Sequence, residues 1–339
     1  MTDSRPVLRA VAVVSVLPYI ALKSAWMAGS HLGIPEGSAL LEPGRRTSML
    51  VINGVTLLMD AAVVALALLL TRPWGRRVPA WLLALPVWTA CGLLAPIMTG
   101  FPAQLVTRAL GFGGGGSGGA DEYHGQFLAE WVYGVVYGGF IVQGLALGAL
   151  FVLYARERWG HLWRGRIADL PAWTPARAAH RLTAVIIGVL AALPATTHLL
   201  WAGGSATGLS EDRAADRTGD FYVLEALYAL FAVATVVGVV MLAFRAGRRA
   251  RPALPLALAW VGSGALACWG AWLTLAGLTA DEEAEAPTAL MDVTYAVQMI
   301  VGLLVLTAGA YFFSERGHDT RSQQSRGVRA GRAAECRTP

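Results

Sequence analysis

Charge is what this chain of 339 residues has least of. Asp, Glu, Lys and Arg together make up 14%, where a soluble domain carries about 25%. Lysine is all but missing: every basic residue except Lys23 and the histidines is arginine. Cysteine is sparse as well. Cys91 and Cys268 fall within apolar runs and Cys336 near the C-terminus, with no C-x-x-C, which excludes a disulfide framework and a dithiol redox site. There is no H-E-x-x-H, and His31, His124, His161, His180 and His318 fall at loops or helix ends, so nothing points to a metal. There is no G-x-x-x-x-G-K-[ST] either. The glycine-rich stretch Gly111 to Gly119 lacks a strand-to-helix context and reads as a flexible loop rather than a phosphate cradle. No cofactor is therefore expected.

Apolar residues fill the gap, at 55% of the chain and a mean hydropathy of +0.52. They collect in eight runs, near residues 7–29, 49–71, 79–100, 126–154, 180–202, 220–244, 254–278 and 288–313. Each supplies the roughly 20 residues needed to cross a bilayer as a helix. The fold class is all-α, a polytopic membrane protein whose main partner is the lipid bilayer. The first run has the basic start of a signal peptide, but Lys23 interrupts it and no A-x-A site follows, so a retained helix is expected.

Arginine sets the orientation. It clusters before the first run, between the second and third, the fourth and fifth, the sixth and seventh, and after the eighth. The alternate loops are acidic or mixed, with Arg45 and Arg46 running against the pattern. By the positive-inside rule the chain is a multi-pass protein of the cell membrane with both termini cytoplasmic. The basic excess sits in loops and tail, so it reports topology and not nucleic-acid binding.

One short motif occurs twice. Trp26, Gly29, Ser30, Gly33 and Glu36 match Trp201, Gly204, Ser205, Gly208 and Glu211 at a constant offset, and Lys23 aligns with His198. Farther along, Trp88 and Gly92 match Trp260 and Gly264, Asn53 aligns with Glu225, and Glu130-x-x-Tyr133 aligns with Asp292-x-x-Tyr295. Such self-similarity predicts two parallel four-helix repeats related by an axis along the membrane normal. The repeats are placed at 1–154 and 180–316, joined by a cytoplasmic linker at 155–179 that lies on the membrane surface. The Arg/Ser/Gly-rich tail, 317–339, is expected to be disordered.

Ionisable groups inside membrane helices are expensive and are functional candidates by default. Lys23, Asn53, Glu130, His198, Glu225 and Asp292 lie at one depth, near the ends of their helices away from the arginines. Trp26, Tyr133, Trp201 and Tyr295 share their faces. The alternatives at each position are aromatic-belt decoration and a structural ion pair, such as Lys23 with Glu130. Asp60 lies near the midplane and reads as a proton carrier, a neutral hydrogen-bonded acid or a counter-ion for Lys23. These eleven residues form the candidate ligand-binding set. The working expectation is small-molecule ligand binding or transport through an outward-facing polar site between the repeats. A membrane enzyme acting at the outer surface and a scaffold subunit are the alternatives; no catalytic residue is assigned.

The helix count and the four-plus-four duplication resemble haem A synthase, whose histidines near the outer helix ends pair as haem ligands. Here only His198 occupies such a position and its counterpart is Lys23, so the resemblance implies architecture without haem. The chain also resembles uncharacterised duplicated membrane proteins of GC-rich bacteria, which implies no particular activity.

Overall fold

A computed structural model describes residues 4–36, 38, 46–111, 128–163, 165–169, 177–215, 217–278 and 286–335. Among these residues there are helices and no strands. The helices are α1 (Arg5–Val14), α2 (Leu17–Met27), α3 (Arg46–Thr71), α4 (Ala80–Ala109), α5 (Glu130–Trp159), α6 (Arg177–Ala202), α7 (Glu211–Ala215), α8 (Gly219–Ala243), α9 (Ala253–Leu278) and α10 (Ala289–Glu335). With α1 and α2 taken together, eight of these segments are long and apolar enough to cross a membrane.

The first span differs from the expected single helix. It breaks at Ser15–Val16, because Pro18 has no N–H to return to the Val14 carbonyl. Gly139 of α5 faces the break, where a Cβ would press on the Ser15 carbonyl. At the other end, α10 continues to Glu335, through residues whose composition suggested a disordered tail. Arg, Gln and Ala are good helix formers and no proline interrupts them before Glu335.

Two bundles follow from the packing. In the first, α5 touches α1, α2, α3 and α4; in the second, α6, α8, α9 and α10 pack on one another. They join through α4, which lies against α8 and α9. The α4–α9 crossing is glycine to glycine: a Cβ on Gly92 would overlap the Gly264 carbonyl. Close backbone approach of this kind is how membrane helices gain packing without a hydrophobic driving force. Polar groups tie the crossing: Trp88 Nε1 donates to Ser263 Oγ at 3.1 Å and Trp269 Nε1 to the Leu93 carbonyl at 3.2 Å. Part of the linker is held by backbone hydrogen bonds. Ile167 and Ala168 donate their backbone N–H groups to the Ala250 and Arg248 carbonyls, which stitches it to the α8–α9 turn.

Candidate functional site

The twice-occurring motif is a helix terminator. Gly29 and Gly204 adopt φ of 92° and 94°. Around them Ser30 N donates to Ala25 O and Gly29 N to Trp26 O, while Ser205 N donates to Leu200 O and Gly204 N to Trp201 O. That pair of hydrogen bonds is the Schellman cap. Each tryptophan then clamps the loop that follows: Trp26 Nε1 donates to Leu32 O at 2.7 Å and Trp201 Nε1 to Thr207 O at 3.0 Å. The second glycine of each copy, Gly33 (φ 75°) and Gly208 (φ 72°), lies against α5 and α10 respectively. Its carbonyl accepts from Ala129 N in the first bundle and from Thr288 Oγ1 in the second. Trp26 and Trp201, both buried, thus hold loop to helix, with their polar atoms already engaged.

The candidate charges separate into two buried clusters. Lys23 on α2 reaches Asp60 on α3, Nζ to Oδ2 2.6 Å, with side-chain exposures of 1% and 6%. The same ammonium sits 3.6 Å from the Tyr19 ring centroid, one turn deeper along α2. Of the two partners the sequence offered Lys23, Asp60 and Glu130, Asp60 is the one in contact. The side chain of Glu130 lies outside the described residues.

The second cluster spans three helices. His198 on α6 is fully buried. Its Nδ1 lies 2.5 Å from Glu225 Oε2 on α8, and its Nε2 lies 2.9 Å from Gln298 Oε1 on α10. The Trp201 and Tyr228 rings close around the imidazole. Arg213, on the short helix α7, covers the cluster from the acidic side: its Nη1 is 3.8 Å from Glu225 Oε1 and donates to Tyr295 Oη at 3.2 Å. Sequence reasoning missed Arg213 and Gln298. A lone glutamine in an apolar run was a usable signal for Gln298; nothing marked Arg213 among its loop neighbours.

Three candidates are not brought to either cluster. Asn53 is half-buried and donates to Met49 O on its own helix. Asp292, expected to face inward, is exposed at the start of α10, where a carboxylate suits the helix N-terminus. Tyr133 is half-buried and stacks on Tyr137. Among the described residues no three His, Cys, Asp or Glu side chains converge as metal ligands would.

The chain matches no protein-family model, no curated protein and no solved structure.

A cavity lies at the opposite, arginine-rich end of the second bundle. It has a volume of about 260 Å³ and is walled by α4, α6, α8, α9 and α10. Small residues open it: Ala84, Ala184, Ala259 and Gly309 line it between Trp88, Trp260 and Phe312. A Cβ on Gly309 would have nothing within 4 Å. The wall is mostly apolar; its polar groups include Thr183 and the buried Ser263, and, toward the arginine-rich end, His180, whose Nε2 lies 2.8 Å from Glu315 Oε2, and Arg245, which reaches the Ala168 carbonyl. Between cavity and His198 cluster, Ile187, Ala191, Ala232, Leu266 and Val301 form a closed core.

Proposed function

We propose that the protein binds a small, predominantly apolar ligand within the membrane, in the second-bundle cavity, taken up from the arginine-rich side. The observation that supports this is the pairing of an open apolar cavity at one end of the bundle with a capped, buried polar cluster at the other. Four of the charges in the candidate set, Lys23, Asp60, His198 and Glu225, join neighbouring helices as fasteners, and none of the four has more than 4% of its surface exposed. The cavity approaches the roughly 300–1,000 Å³ of small-molecule pockets and has their character, apolar with a few convergent polar groups.

The proposal includes the finer architecture. The two bundles are parallel repeats, with the α4–α9 glycine crossing on their pseudo-two-fold axis. In support, Trp88 meets Ser263 while Trp260, its repeat counterpart, turns toward Cys91, the counterpart of Ser263. The arginine-rich side is cytoplasmic, and the membrane is the cell membrane. The alignment that matches Glu130 with Asp292 sets Gly309 opposite Leu147, a fully buried core residue. The first bundle fills with leucine the space that the second leaves open.

Binding of a neutral solvatochromic dye to purified protein in zwitterionic nanodiscs tests the reading. Saturable one-site binding is expected, and Gly309→Leu should abolish it without lowering Tm, since leucine is a better helix former and enters free space. Unchanged dye binding in Gly309→Leu overturns the proposal.

A further inference from the structure

The cavity of the second bundle is mostly apolar, and much of that wall is aromatic. Trp88, Trp260, Phe312 and Phe313 all line it. Neighbours behind the wall fix two of these rings: Trp260 stacks on Phe151 with centroids 5.2 Å apart, and Phe313 meets Trp163 edge-on. The polar side chains of the wall are occupied or enclosed, with one exception. His180 and Glu315 hold each other, and Arg245 donates to the Ala168 carbonyl. Ser263 Oγ accepts from Trp88 Nε1 and donates to the Trp260 carbonyl. Trp260 Nε1 is enclosed and turned toward Cys91. The exception is Thr183, which lies on the same face of α6 as the lining residues His180 and Ala184. A helix threonine can return its hydroxyl to the carbonyl one turn earlier, as Thr196 and Thr197 of the same helix do. Thr183 does not, and among the described residues its hydroxyl has no hydrogen-bond partner.

We infer that the cavity takes a neutral aromatic compound carrying one hydrogen-bonding oxygen, with its rings among Trp88, Trp260 and Phe312 and its oxygen at Thr183. This rests on the ligand-binding reading above. Neutrality follows from the wall. Each ionisable side chain there already has a partner, so an ionic group would have to break one of those contacts or enter uncompensated, which is costly. Aromaticity follows from the four rings, since ring pairs gain more than the area they bury. An apolar cavity of about 150 Å³ takes benzene, and about 260 Å³ leaves room for a second fused ring. Thr183 supplies the orientation. Its hydroxyl both donates and accepts, and a ligand oxygen relieves the cost of leaving it unpaired in an apolar space.

Displacement of the neutral dye by naphthol, naphthalene, decahydronaphthol and naphthoate reads each feature in turn, with Gly309→Leu discs as the blank for partition into lipid. Naphthol should displace the dye at a concentration about fivefold below naphthalene, the scale of one hydrogen bond. It should also act about fivefold below decahydronaphthol, the scale of one aromatic contact, and naphthoate should be weakest. Thr183→Val is the decisive variant. Valine keeps the branched shape, and losing the hydroxyl breaks no hydrogen bond, so Tm should hold. Naphthalene should bind it as it binds the wild type, and the advantage of naphthol should vanish. The assignment falls, while the cavity reading stands, if naphthol gains nothing over naphthalene or over its saturated analogue, if naphthoate competes best, or if Thr183→Val keeps the preference. If Gly309→Leu leaves dye binding intact, both fall.

Discussion

At the scale of the residue, Lys23 and Asp60 show how little freedom a buried charge has in this protein. Each is almost wholly enclosed and the ammonium contacts one carboxylate oxygen at 2.6 Å. Removing one partner strands the other, at about 3–5 kcal/mol. Lys23→Met alone should therefore lower the thermal midpoint in detergent, and Asp60→Leu alone should do the same. The double variant should recover most of the loss, since an apolar pair of similar volume needs no desolvation. Simple additivity of the two losses would show that the contact contributes no coupling. The pairing also marks a limit of sequence reading. A lone lysine and a midplane aspartate in apolar runs were legible as buried and consequential, and counter-ion was one reading of Asp60. The other partner offered, Glu130, came from matching depth along helices. Depth counted from helix ends ignores reach: a lysine stem spans more than a turn, and Lys23 uses it to pass over Tyr19 toward Asp60.

At the scale of the element, the repeated motif was conspicuous in the sequence and its role was not. Trp, Gly, Ser and Gly at fixed spacing stand out equally whether they hold a ligand or end a helix. The backbone decides: both copies close with the same cap and both tryptophans bond six residues ahead. The two glycines of each copy carry different burdens, and this is measurable. Gly204→Ala meets only the left-handed backbone cost, about 1–2 kcal/mol, because a Cβ there has nothing within 4 Å. Gly208→Ala adds a collision with the Leu290 side chain of α10, so its loss in thermal stability should be clearly larger. Equal losses at both positions would mean that Leu290 yields freely and that the loop does not set the seat of α10. The helices themselves were the most legible feature, because a long apolar run has few other uses. Their ends shifted where a local rule intervened, as at Pro18, which splits the first span. The cavity was illegible. It arises from alanines and one glycine contributed by five separate helices, and small residues in an apolar run carry no mark of the space between them.

At the scale of the whole molecule, orientation organises the functional reading, since it decides which compartment supplies the ligand. Arginines dominate one set of connections, and the cavity mouth with His180, Arg245 and Glu315 belongs to that set. The buried His198 cluster and its cover, Arg213, belong to the other, beside Glu211, Asp212 and Asp220. An excess of arginine near span ends favours the cytoplasmic side, so the cavity should open inward. Single cysteines in a background lacking Cys91, Cys268 and Cys336 can establish this. Ser38 is a poor reporter because it is buried, whereas Leu32, Ala206 and Arg248 are exposed. Leu32→Cys and Ala206→Cys should react with an impermeant maleimide in intact cells. Arg248→Cys should react only after the membrane is opened. The two outer sites lie in the two copies of the repeated motif, so they also test the parallel arrangement. Four spans separate them, and an even number returns the chain to the same side. Labelling of Leu32→Cys without Ala206→Cys would mean that one span fails to cross, and the paired-bundle architecture would fall with it. Labelling of Arg248→Cys alone would invert the protein and place the cavity mouth outside, and a ligand of the second-bundle cavity would then have to enter from the external side.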